Sequence, residues 1–409
     1  MRVASLASFY RENLRWLGAG FALSFFSSFG QTFFISLFAG DIRAAYGLSD
    51  GGWGALYTAA TLCSAAVLFQ AGALADRIRL DRLAVTVLLL YALAAIAMAT
   101  GQGIAVLLVA VFGLRICGQG MMGHISATAM GRWFRAHRGR AVAFAALGFS
   151  TGEAVLPSIA VAVASTVGWR ETWWIVAALL ALGAAPLLGW LLAEARAPQG
   201  SGADGGHPGL GGRHWTRPEV MRHRLFWGLV PAVLAPSFIG TVLFFHQVHI
   251  SEVKGWSLAA MAAGYPVYAG LTITASLTGG ALVDRLGPAR LLPVFLLPMG
   301  AGAMLLGAVE GVGGWLLVLA LTGLSQGMAQ ALWGGLWPEL YGTRHLGAVR
   351  AMATTAMVFS TAAGPGITGL LIDAGIPFPE QGLALGIAAL AICGLGLLLG
   401  REIRRLGGR

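Results

Sequence analysis

The hexapeptide GALADR (Gly72–Arg77) returns with one change as GALVDR (Gly280–Arg285). The copies begin 208 positions apart in a chain of 409 residues, and each sets an Asp-Arg pair at the edge of a long apolar region. Hydrophobic residues make up 57% of the chain and charged residues 11%, with a mean hydropathy of +0.75. Soluble domains carry roughly 25% charged residues, so the deficit points to a protein that crosses a membrane many times. The net charge of +10 does not read as nucleic-acid binding. Its arginines stand in short clusters between apolar segments, not along a stripe with base-stacking groups. Cys63, Cys117 and Cys393 lie inside apolar segments without forming a close pair, which argues against a disulfide or a cysteine metal site.

Apolar stretches near the length needed to cross roughly 30 Å of hydrocarbon as a helix recur along the chain. They read as spans at 17–38, 51–71, 83–101, 103–131, 141–164, 173–193, 225–250, 258–278, 291–309, 314–337, 351–372 and 382–400. Spans three and four are divided at Gly101-Gln102-Gly103, because 83–131 is too long for one crossing and glycine interrupts helices. The arginines test this division. With the N-terminus inside, the segments on the inner side hold 23 of the 27 Lys and Arg residues; the outer loops hold only Arg43, Arg170 and Lys254, and Arg115 falls within a span. This loop-by-loop asymmetry predicts both termini on the cytoplasmic side. The first apolar segment is too long for a signal-peptide core and reads as a retained helix.

Residues 194–224, with APQGSGADGGHPGLGGRH, read as a flexible cytoplasmic linker. Residues 1–16 read as a short amphipathic helix on the inner surface. The linker divides the spans six and six, and the halves are related beyond the hexapeptide. Tyr57 matches Tyr265, Gln119-Gly120-Met121 matches Gln326-Gly327-Met328, and Phe149-Ser150-Thr151 matches Phe359-Ser360-Thr361. Ordered matches at nearly one offset indicate a duplicated six-helix unit, and parallel six-helix repeats are a transporter architecture.

On these residues the chain resembles a major facilitator superfamily transporter over nearly its whole length. That family carries a glycine, a small or apolar run, Asp-Arg and further basic residues after spans two and eight. Gly72, Asp76, Arg77 and Arg82 match it, as do Gly280, Asp284, Arg285 and Arg290. The resemblance implies an all-α membrane protein of twelve transmembrane helices in two pseudo-symmetric six-helix bundles, at 17–193 and 225–400, with a tail at 401–409. In it Gly72, Asp76, Arg77, Gly280, Asp284 and Arg285 would form a conformational gate. Glycine would allow close helix approach, and the charged pair would bond a neighbouring helix in one state and release it in another. RGRAVAFAALGFSTGEAVLP (138–157) further resembles the start of span five in the monocarboxylate-transporter and oxalate–formate-antiporter branch. Span eight, YAGLTITASLT (268–278), carries no Asp or Arg.

Ionisable groups at mid-bilayer are costly unless paired or hydrated, and so are functional candidates. Arg115 lies about 18 Å into span four and Glu153 about 18 Å into span five, by helical rise. Arg115 reads as a counter-charge for an anionic substrate and Glu153 as a proton-coupling acid, or the two form a structural pair. The resemblance implies that spans one, four, seven and ten line the pathway. Candidate substrate contacts there are Gln31, Gln119, Gln326, Gln330 and Trp333, with Trp337 on the same face, and Tyr57 and Tyr265 from spans two and eight. Pro231, Pro236 and Gly240 predict a kinked or broken span seven. Beyond it His246 and His249, with Glu252, read as a proton site, a polar outer gate, a wetted helix end or a divalent-metal site.

The sequence offers no phosphate-binding loop, nucleotide site or nucleophile–base set. An enzyme and a cofactor are therefore not expected. The expected function is secondary transport of a small organic anion, a carboxylate, with proton coupling or exchange. The alternative is efflux of hydrophobic or drug-like compounds. The expected partners are the small molecule, protons and the lipid bilayer, with no nucleic acid; the protein is expected to be a monomer. The dominance of arginine, with Lys254 the single lysine, suggests a bacterial cytoplasmic membrane.

Overall fold

The computed structural model describes residues 9–72, 74–134, 138–194 and 207–406, with the side chains of Asp76 and Arg138 outside that description. Every regular element among them is helical. Among the described residues ten helices are long and apolar enough to cross a membrane, and the bent pair Leu14–Gly30 and Thr32–Tyr46, counted as one span, makes eleven. The remaining predicted span, 291–309, holds only the shorter helix Leu297–Ala308. Proline explains the shortening. Pro293 and Pro298 lack the N–H that an i→i−4 bond needs, so the chain turns through Leu291 to Leu296 and the helix begins with Pro298 in its first turn.

The chain falls into two compact units, Met1–Leu48 with Ala59–Ala203, and Ser49–Thr58 with Asp204–Arg409. In the first unit, Leu80–Thr100 and Ile104–Trp133 are separate helices, parted at Gly101–Gly103 where Gly103 takes φ +83°. The main helix contact joins spans one and five. A Cβ at Gly148 would strike the Phe21 carbonyl and one at Gly152 the Ser28 hydroxyl, so these glycines set the approach. Ser126 ties span four to span one through the Ser24 hydroxyl and the Gly20 carbonyl, each at 3.0 Å.

In the second unit the closest pairing is between spans eight and ten. Gly323, Gly327, Ala331 and Gly335 recur every fourth residue along one side of span ten. A Cβ at Gly323 would crowd the Tyr268 carbonyl, one at Gly327 would crowd the backbone at Thr272 and Ser276, and one at Gly335 the Val283 side chain. Gly279 sits against Ala331. Large apolar side chains such as Leu182, Trp190 and Leu277 remain exposed, as expected where the solvent is lipid.

Arg170 and Lys254 have a defined task. Arg170 donates to the Ala99 and Gly101 carbonyls at the end of span three, and Lys254 donates to the Gly307 and Val309 carbonyls after Leu297–Ala308. A cation on the last carbonyls of a helix satisfies orphan acceptors and complements the dipole.

Three expectations are corrected. Span seven stays helical from Arg224 to Phe245 through both prolines, and its interruption falls at His246. The broken helix is span one: a 3₁₀ turn Ser27–Gly30 leads to extended Gln31 (ψ 156°) and a 45° bend. The linker is ordered over 207–224, while 195–206 lies outside the described residues, as do residues 1–8 of the expected surface helix. The ordered part straps the end of span ten. The Trp215 N–H donates to the Tyr341 carbonyl (3.0 Å), the Thr343 N–H to the His207 carbonyl (3.1 Å), and the Trp215 ring packs tilted against His223 and edge-to-face against Tyr341. Arg213 lies over the Trp215 ring, and Thr216 with Glu219 closes a capping box on the helix Arg217–Arg222.

Candidate functional site

In the first unit the break in span one is the organising feature. Span four answers it with a π-helical segment, Arg115–Met122, a form that recurs at functional sites. Gly30 lies so near that segment that a Cβ would strike the Leu114 carbonyl, and Gly118 so near Tyr91 that a Cβ would strike its hydroxyl. Arg115, 1% exposed, donates from Nη1 to the Gly30 carbonyl at 3.0 Å and toward the Thr32 hydroxyl at 3.4 Å. Its guanidinium thus bridges the two sides of the break.

Glu153 is 5% exposed on span five, one residue from the Gly152–Ser28 contact. No ion pair joins it to Arg115, and no hydrogen bond reaches its carboxyl group among the described residues. A carboxyl group so placed is neutral or meets a cation or water from outside the chain. Gln31 and Gln119 are half-buried, and their amides make no hydrogen bond among the described residues.

The second unit holds a cavity of about 350 Å³ between spans seven, ten and eleven. Gln326, Gln330, Trp333 and Trp337 line it, as their spacing predicts, with Ser237 and Pro236 opposite. Trp333 and Trp337 stack at 5.3 Å. Gln326 donates to the Pro236 carbonyl at 3.2 Å, which fixes that amide, whereas Gln330 is exposed. Arg350, Ala353, Thr354 and Met357 of span eleven complete the wall. Arg350 is one of the 23 Lys and Arg residues that the sequence reading assigns to the inner side. The signal that finds it is the i, i+3, i+4, i+7 spacing of those four residues.

Tyr57 and Tyr265 do not border this cavity. Both are fully buried, Tyr57 against Trp53 and Phe245, and Tyr265 against Phe244 with its hydroxyl donating to Gln247 at 2.8 Å. His246 and His249 go to separate partners. The Thr368 hydroxyl gives its hydrogen to the Gly364 carbonyl, so His246 Nε2 donates to it at 2.7 Å. His249 Nε2 accepts the Phe378 N–H, leaving Nδ1 facing the Asp50 carboxylate at 3.6 Å. Among the described residues no group of three His, Cys, Asp or Glu is placed to hold a metal.

The two hexapeptides differ in their surroundings. At the first, His124 bonds the Gly72 carbonyl (3.0 Å) and Arg132 the Ala75 carbonyl (2.9 Å). Span four therefore grips backbone here, while Arg77 is exposed and the Asp76 side chain lies outside the described residues. At the second, the close approach expected of Gly280 belongs to its neighbour Gly279, and a Cβ at Gly280 would meet open space. Asp284, Arg285 and Arg290 border a cleft of about 700 Å³ that also touches Gly209–Gly212 of the strap.

The comparisons with known proteins bear on the family and the fold. The profile of the Major Facilitator Superfamily matches residues 20–365. Among solved structures, a bacterial homologue of the human lysosomal transporter Spinster, inward-facing and unoccupied, superposes with a TM-score of 0.68 at 17% identity, covering 96% of this chain and 95% of that one. The same homologue in an inward-facing, occupied conformation gives 0.68 at 17% identity, covering 98% and 96%. At that identity the likeness concerns the fold. No curated protein sequence matches significantly.

Proposed function

The chain belongs to the Major Facilitator Superfamily, and from that membership we propose that it is a secondary active transporter of a small organic anion, a carboxylate. It would work by alternating access in a bacterial cytoplasmic membrane, with both termini inside, through proton coupling or exchange. The observation that carries the reading is the pair of ionisable groups at mid-span in the first unit. Arg115 brings a fixed positive charge to the break in span one, and Glu153, on the next span, makes no ion pair with it. A carboxyl group with no partner among the described residues is suited to gain and lose a proton during a cycle. The likeness of 138–157 to the monocarboxylate and oxalate–formate branch supports a carboxylate as cargo. Substrate contacts would come from Arg115, Gln31, Gln119, Gln326, Gln330 and Trp333, and the two hexapeptides would serve as conformational latches.

A second reading, efflux of hydrophobic compounds, draws on the stacked indoles of Trp333 and Trp337 in the second unit's cavity. Proteoliposomes decide between them. Uptake of labelled carboxylates driven by an imposed pH gradient supports anion transport. Binding of lipophilic cations without carboxylate uptake supports efflux. If Arg115→Ala and Glu153→Gln both leave anion flux and its pH dependence intact, those two residues do not carry the function.

A further inference from the structure

We propose that the anion carried by this transporter is aromatic, with its flat ring stacked on Trp333 in the cavity between spans seven, ten and eleven. The inference rests on the organic-anion reading above and adds the chemistry of the substrate's body. The cavity, about 350 Å³, falls within the roughly 300–1,000 Å³ of small-molecule sites. One wall is an aromatic ladder. Tyr341, Trp337 and Trp333 recur every fourth residue on span ten, so they share a face of the helix. The ring of Trp337 stacks on Tyr341 at 6.1 Å and on Trp333 at 5.3 Å, each pair at an interplanar angle of 20°. The next place in the ladder belongs to Ala329, which also lines the cavity. A methyl group there leaves room where a further ring would continue the stack.

The ladder is anchored at one end and open at the other. Tyr341 is fully buried and Trp337 nearly so, and Phe295 packs edge-to-face with Trp333, so the Trp333 ring is held in place. Trp333 itself is only partly buried and borders the cavity. A ring already fixed by its neighbours loses little freedom when a ligand lands on it. Polar groups accompany the open place. Gln330, Ser237, Thr354 and Trp333 line the cavity, and their side-chain polar groups make no hydrogen bond among the described residues. An apolar, aromatic wall with a few unmet polar groups is the usual build of a small-molecule site. Offset stacking adds attraction beyond the area buried, and a saturated ring cannot supply it. The substrate that fits is a planar aromatic acid, and selection by its ring is independent of the cation that meets its carboxylate.

The test uses the full-length protein in lipid nanodiscs and compares binding of benzoate with cyclohexanecarboxylate, and of phenylacetate with cyclohexylacetate. The members of each pair share their charge and carbon count, and the saturated ring buries at least as much apolar surface, so burial alone gives the aromatic acid no advantage. The wild type is expected to bind the aromatic acids about fivefold more tightly, the scale of one aromatic pair. Trp333→Leu is expected to remove that preference while the saturated acids bind as in the wild type. Ala329→Phe fills the open place with the chain's own ring and is expected to weaken benzoate and phenylacetate by about tenfold. A wild type that binds each pair equally, or binds none of the four, overturns the proposal, whereas uptake of labelled carboxylates decides the organic-anion reading separately. A Trp333→Leu protein that keeps the preference overturns it too. Should Trp333→Leu fail to fold, Ala329→Phe decides, and unchanged benzoate binding by that protein overturns the assignment.

Discussion

Replacing Gly30 with alanine tests whether the break in span one is held by close packing. The added Cβ would land on the Leu114 carbonyl, 2.8 Å from the Tyr91 hydroxyl and 2.9 Å from Gly118 Cα. Two of these three obstacles are backbone of span four, which cannot step aside as the end of a flexible side chain would. Overpacking of this kind costs typically about 1–3 kcal/mol. Relief by separating the helices would stretch the bond from Arg115 to the Gly30 carbonyl, 3.0 Å long, and a hydrogen bond to a charged group contributes about 1.5–3 kcal/mol. The two losses overlap, so we expect about 3 kcal/mol of destabilisation. Gly123→Ala is the control. Gly123 is helical, with φ −63°, and a Cβ there meets nothing within 4 Å, so helix propensity alone predicts a gain of about 0.5–1 kcal/mol. Thermal unfolding in detergent, followed by a thiol-reactive dye, reads both variants through the buried Cys117 and Cys393. A Gly30→Ala protein that melts with the wild type and transports normally would refute the argument that this contact fixes the break.

Glu153→Gln replaces a buried carboxyl group that has no partner among the described residues with a neutral isostere. Melting should be unchanged or raised, while substrate accumulation driven by a pH gradient should fall by at least about tenfold and exchange flux should persist; intact gradient-driven uptake would remove Glu153 from the coupling path. Arg115→Gln should lower stability by about 2–3 kcal/mol through loss of the charged bond to Gly30, and unchanged melting with lost transport would confine Arg115 to a substrate role. The strap should loosen in acid. Burial first, and then Arg224, hold His223 below its ordinary value of 6.5, with Arg213 adding to this and Glu402 opposing it. A depressed base favours the docked strap when neutral, so docking is at full strength above about pH 6.5 and weakens as pH falls below it. Hydrogen exchange at the Trp215 amide, corrected for its intrinsic rate, should speed up between pH 7.5 and 5.5, and a His223→Gln protein should lose that dependence.

What the sequence made legible follows from how far each signal reaches along the chain. The repeated hexapeptide, the apolar stretches and the split at Gly101–Gly103 are local patterns, and the helices Leu80–Thr100 and Ile104–Trp133 sit where those patterns place them. The face shared by Gln326, Gln330, Trp333 and Trp337 is also local, because one helix fixes it, and it does line a cavity. The break at Gly30 is not local. No proline marks it, and it depends on Leu114, Tyr91 and Gly118, which reach it only in the folded unit. Pro231 and Pro236 misled for the converse reason: a membrane helix tolerates a lost hydrogen bond when its surroundings support it, and the helix Arg224–Phe245 runs through both prolines. Arg350 escaped because counting arginines by loop assigns each one to a side of the membrane and ignores where its side chain goes. A side chain with so long an apolar stem, leaving the second turn of the helix Leu346–Asp373, can carry its charge along the helix to the wall of a cavity. The same residue therefore serves the topology count and lines the candidate site.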